Sequence, residues 1–213
     1  MKKKMFYGFV LFFMLFLIWT YCVMRVDVKT LGVNGSNIGL SGLNIWFHNL
    51  TGVYMYLYCY TDLLSIIPLA VCGLFGFIGF YQLVSRKSIL KVDHDILVLG
   101  CYYVVVIGVF LMFEQIPINY RPILIEGKME VSYPSSTTLL VLCVMPTLIE
   151  QINRRLKNRS MIKIISFITL IYALLMVFFR LMSGVHWFSD IIGGILLSIS
   201  LILLYLYCIA IIK

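Results

Sequence analysis

Apolar residues fall along this chain in six long runs separated by polar segments, and the run lengths limit what they can be. Crossing the hydrocarbon core of a bilayer takes about 20 mostly apolar residues in a helix, with a working range of roughly 17–25. Met5–Met24, Leu63–Val84, Ile96–Phe113 and Ile191–Ile212 meet that length directly. Two shorter runs, Leu139–Ile149 and Ile164–Phe179, reach it only when Ser135–Thr138 and Arg180–Met182 are added to their ends. The pattern predicts an all-α protein, a polytopic six-transmembrane-helix bundle forming one integral membrane domain over residues 1–213. No Pro/Gly/Ser-rich linker, low-complexity tract or internal repeat divides it.

The longest interruption, Arg25–Asp62, is rich in glycine and aromatics, among them Trp46, Phe47, Tyr54, Tyr56, Tyr58 and Tyr60. Amphipathic rings favour the membrane interface, so this stretch reads as an aromatic belt, with a lid over a lipid as the second reading. Asp62 reads as the cap of the second spanning helix.

Composition agrees with a membrane protein: 62% of residues are hydrophobic and 12% charged. The net charge of +8 is unevenly placed. Lys2, Lys3, Lys4, Arg86, Lys87, Lys91, Arg154, Arg155, Lys157, Arg159, Lys163 and Lys213 are 12 of the 17 Lys and Arg, and a six-helix count puts them all on one side. The positive-inside rule then predicts a multi-pass cell-membrane protein with cytoplasmic N- and C-termini. The basic charge is accounted for by topology and lipid headgroups, so nucleic acid is not an expected partner. The six cysteines lack paired or metal-ligand spacing and read as small apolar packers.

The chemistry lies on the opposite, extracytoplasmic side. Arg180, His186 and Asp190 stand at the mouth of a membrane segment, where ionisable groups are costly and read as functional. If a helix runs on from His186 to Asp190, both side chains share one face. The carboxylate then accepts one imidazole N–H and leaves the other ring nitrogen free to attack. Arg180 offers a planar fork of donors matched to phosphate oxygens. Two further clusters lie on the same side: Asn119-Tyr120-Arg121-Pro122, and Tyr133-Pro134-Ser135-Ser136-Thr137-Thr138 at the start of helix four. Ser135 reads as an N-cap, and with Ser136 it places a helix terminus, an anion site, beside the arginines. Arg121, Ser135, Ser136, Arg180 and His186 are thus expected to converge on one phosphate group, with no metal or other cofactor.

Arg-Pro, then Pro-Ser, then Arg-x5-His-x3-Asp on three successive outer segments resembles the type-2 phosphatidic acid phosphatase (PAP2) superfamily. The motifs span roughly Phe113 to Gly194, and the topology spans the whole chain. The resemblance implies a metal-independent phosphatase in which His186 is transiently phosphorylated and Asp190 orients it. It also implies that Arg121, Ser135 and Arg180 bind the phosphate. Membrane lipids are the implied partners, with a lipid phosphate or polyprenyl diphosphate as substrate. A head-group or phosphoryl transferase, and a lipid-phosphate binder or transporter with little turnover, are the alternative readings.

Two positions depart from the family pattern. Glu114 stands where the first motif has lysine, and Thr137 stands where the second motif has the histidine that protonates the leaving group. A threonine hydroxyl is no general acid near neutral pH, so Glu126 and Glu130 are the candidate substitutes. A diphosphate substrate tolerates the loss best, because its leaving phosphate has a second pKa of about 6 and needs little protonation.

Overall fold

The computed structural model describes residues 2–212; Lys213, counted above among the basic residues, lies outside the described residues. Eight α-helices follow in order: α1 (Lys2–Arg25), α2 (Ser41–Thr51), α3 (Met55–Leu64), α4 (Ile66–Arg86), α5 (His94–Gln115), α6 (Ser136–Arg155), α7 (Arg159–Met182) and α8 (Phe188–Ile211). Among the described residues six segments are long and apolar enough to cross a membrane: α1, α3 with α4, α5, α6, α7 and α8. The protein is a multi-pass, all-α membrane protein, as the run lengths predict.

The second span departs from its predicted form. Its helical content begins at Met55 and breaks at Ser65. Pro68 explains the break: proline has no N–H and its ring clashes with the carbonyl four residues back, which is that of Leu64. In hydrocarbon a freed carbonyl needs another donor, and the Tyr172 hydroxyl on α7 donates to it at 2.9 Å. Asp62 consequently lies inside α3 and does not cap the following helix.

The least apolar span is the most enclosed. Half of the membrane-crossing stretch of α6 is buried, against 11% for α1. Its polar positions are matched across the bundle: Thr147 Oγ1 with the Tyr103 hydroxyl at 2.8 Å, and Gln151 Nε2 donating to the Tyr205 hydroxyl at 2.9 Å. Such interhelical hydrogen bonds replace the lipid contacts that an outer helix makes. Gly193 lets α8 come close to the segment that precedes α6, because a Cβ there would lie 2.7 Å from the Tyr133 ring. At the end of the bundle carrying the basic loops, Arg155 pairs with Asp95 at 2.8 Å. The motif residues gather at the other end: Arg121 in the connection from α5 to α6, Ser135 and Ser136 at the start of α6, Arg180 in the last turn of α7, His186 between α7 and α8, and Asp190 in the first turn of α8.

Candidate active site

His186 sits in the turn between α7 and α8, and the turn is held by backbone geometry. Gly184 has φ +69°, and a Cβ there would lie 2.0 Å from the Gly52 carbonyl oxygen, so glycine is required at that close approach. The Tyr54 N–H also donates to the Ser183 carbonyl at 2.9 Å, docking the α2–α3 junction onto this turn.

The helical continuity expected from His186 to Asp190 is not what joins them, since α8 begins at Phe188. Asp190 instead stands in the first turn of α8, where its Oδ2 accepts the Trp187 N–H at 2.9 Å. A carboxylate near a helix N-terminus satisfies an orphan donor and complements the dipole. His186 Nδ1 lies 3.7 Å from that same oxygen and 3.1 Å from the Ser132 carbonyl oxygen. A carbonyl only accepts, so Nδ1 carries the proton and Nε2 keeps its lone pair. Tautomer control therefore falls first to Ser132, with the Asp190 charge beside it. Nε2 faces Arg121, whose Nη1 is 3.4 Å away.

Asp190 is fully buried and held by residues the motif did not name. Asn119 Nδ2 donates to Asp190 Oδ1 at 3.4 Å, and its own Oδ1 accepts the Gly39 N–H at 3.2 Å. Asn44 of α2 accepts the Ser189 N–H at 3.0 Å and donates to the Ser189 hydroxyl at 2.9 Å. The Arg25–Asp62 stretch is thus more than an interfacial belt, because its first helix braces the start of α8.

A cavity of about 340 Å³ opens onto these groups, with Arg121, His186, Ser132, Ser136, Glu114 and Glu130 in its wall. Ser135 occupies the N-cap position of α6, but its side chain makes no capping bond. Its hydroxyl accepts from Thr138 Oγ1 at 3.1 Å instead, leaving Ser136 as the motif serine in the cavity wall. The positive end of the α6 dipole meets the cavity there. Arg180 is 1% exposed and does not reach that wall; its Nη1 donates to Thr61 Oγ1 at 3.2 Å.

Glu126 and Glu130 are separated by the structure. Glu126 is exposed with φ +51°, at the tip of a two-residue turn closed by Ile125 and Lys128. Glu130 lines the cavity, with Oε2 3.0 Å from Arg121 Nε, although that N–H is not directed at the oxygen. Thr137 faces a separate apolar crevice of about 380 Å³, shared with Asp62 and Ser65. Phe110, Ser136 and Leu139 border both spaces.

The electrostatics follow from burial. Desolvation, reinforced by the Arg180 and Arg121 charges, holds the His186 imidazole well below its ordinary value and hence neutral. Both guanidinium groups keep a buried Nε without a hydrogen-bond partner. Arg121, in the cavity wall beside the imidazole lone pair, and Arg180, buried outside that wall, thus place two positive charges with open donors at this end of the bundle.

A six-span membrane bundle carrying this arginine–histidine–aspartate cluster at one end defines the class, and the family follows. The PAP2 superfamily profile matches residues 5–212, and the chain belongs to that superfamily. The crystal structure of a transmembrane PAP2-type phosphatidylglycerolphosphate phosphatase from Bacillus subtilis has a TM-score of 0.70 to this chain. The alignment covers 97% of this chain and 98% of that one at 19% identity, a likeness of fold. No curated protein matches the chain.

Proposed function

We propose that the protein is a lipid-phosphate or lipid-diphosphate phosphatase acting on the extracytoplasmic face of the membrane through a phosphohistidine. The observation that carries this reading is the meeting of the His186 Nε2 lone pair with buried Arg121 at one cavity, 3.4 Å apart. A phosphoryl group held by Arg121 stands next to the attacking nitrogen. The N–P bond forms as the bond from phosphorus to the leaving oxygen breaks. Positive charge that develops on the ring is met by the Ser132 carbonyl and the Asp190 carboxylate. Water then attacks the phosphorus and the N–P bond breaks. Fixed cations supply the charge that a metal supplies elsewhere.

Phosphate release from detergent-purified protein, across a panel of lipid mono- and diphosphates in EDTA, tests the reading. Release undiminished by EDTA is expected. Release only with an alcohol acceptor would make the protein a transferase, and tight binding without release would make it a lipid-phosphate binder.

Sidedness has its own check. Glu126 and Lys157 are both exposed, at opposite ends of the bundle. In a background with the native cysteines replaced, a cysteine at 126 should react with a membrane-impermeant reagent on intact cells, and one at 157 should react only after lysis. The reverse pattern would invert the topology.

A further inference from the structure

Helix α3 contributes to the candidate phosphate site a residue that no phosphate-binding motif names. The guanidinium carbon of Arg180 stands over the Tyr58 ring at 4.6 Å from its centroid, and that of Arg121 stands over the same ring at 5.6 Å. One turn further along α3, Thr61 Oγ1 accepts from Arg180 Nη1 at 3.2 Å. Both arginines are buried, at 8% and 1% exposure, and among the described residues only half-exposed Glu130 forms an ion pair with either. Two like charges kept out of water at one site repel each other and pull their side chains apart. An aromatic face attracts both, most strongly where water is excluded.

We propose that Tyr58 is a positioning residue that holds the Arg121 and Arg180 guanidinium groups together, ready for phosphate, when no anion is bound. The ring does the holding and takes no part in bond making. It leaves the Nε donors of both arginines unoccupied, whereas a carboxylate in the same place would take them. Without the ring, the arginines separate, and the anion must bring them back together at the expense of its own affinity. The inference rests on the phosphate-site reading above.

The test uses the full chain in detergent, with inorganic pyrophosphate as the probe in a calorimetric titration. Tyr58→Phe keeps the ring and should bind within about twofold of the unmodified protein, whereas Tyr58→Leu should bind about tenfold more weakly. Tyr56→Leu, an exposed ring on the same helix, should change nothing. With a lipid diphosphate as substrate, Tyr58→Leu should raise KM more than it lowers kcat. Equal affinity for the Leu variant and the unmodified protein would overturn the proposal. So would equal losses for Leu and Phe, which would assign the effect to the hydroxyl. Should the Leu variant fail to fold, Tyr58→Phe and Tyr58→Trp decide it: retained affinity in both supports the ring, and loss in both overturns it. Absence of pyrophosphate binding in the unmodified protein would instead overturn the phosphate-site reading on which Tyr58 depends.

Discussion

His186→Ala is expected to reduce phosphate release to background, a loss of several orders of magnitude, because it removes the proposed nucleophile. Denaturing gels after brief exposure to a labelled lipid phosphate should show an acid-labile phosphoenzyme in the unmodified protein and none in the variant. A fully active, folded alanine variant would sink the assignment. The pH profile adds a signed expectation. In the proposed mechanism only the neutral imidazole attacks, and burial with two nearby arginines holds its pKa well below the ordinary value of about 6.5. The acid limb of kcat/KM should therefore lie below 6.5. Stability follows the same sign. The unfolded chain takes up the proton first, so the contribution from His186 is complete above about 6.5 and is lost as pH falls toward the folded value. Asn119→Ala, by contrast, leaves the nucleophile and weakens only the hold on Asp190, so it should slow turnover without abolishing it.

The spans were legible because a bilayer imposes a length on every crossing helix, and the runs Ile96–Phe113 in α5 and Ile191–Ile212 in α8 satisfy it without a single charged residue. Helix α6 was the hardest to read. Ser135–Thr138 and Glu150 bound its apolar run, and the burial of Thr147 and Gln151 against the Tyr103 and Tyr205 hydroxyls explains why those polar positions are tolerated. Helices α2 and α3 were not legible, because they are short and the alternating Tyr54, Tyr56, Tyr58 and Tyr60 do not follow a helical period. They are tied to α7, α8 and the turn between them through Thr61, Asn44 and the Tyr54 N–H instead. For the same reason Asn44, Thr61 and Tyr58, which touch Ser189 and the arginines, carried no signal. Spacing brought His186 and Asp190 together, but for a different reason than helical facing: one closes the turn and the other caps the helix after it. Ser132, whose carbonyl holds Nδ1, works through its backbone, and no sequence pattern marks a backbone carbonyl.

Lipid diphosphates should be cleaved faster than the matching lipid monophosphates by at least about a hundredfold, the lower range of what general acid catalysis contributes. Thr137 supplies no acid, and its side chain faces the apolar crevice while His186 faces the cavity. The alkoxide leaving group of a monoester therefore departs with little help, whereas the phosphate leaving group of a diphosphate needs almost none. Glu130 is the carboxyl best placed to narrow that gap, since it lines the cavity beside Arg121; Glu126, out on its exposed turn, is not. Glu130→Gln separates two roles. If the carboxyl protonates the leaving oxygen, the variant loses monoester cleavage selectively. If it only competes with phosphate for Arg121, the variant binds both substrate classes more tightly and cleaves each at least as fast. Thr137→His adds an imidazole in the crevice next to Ser136, which borders the cavity, and it should speed monoesters by more than it speeds diphosphates. Equal rates for the two substrate classes, unmoved by changes at Thr137 and Glu130, would show that leaving-group protonation does not limit this enzyme.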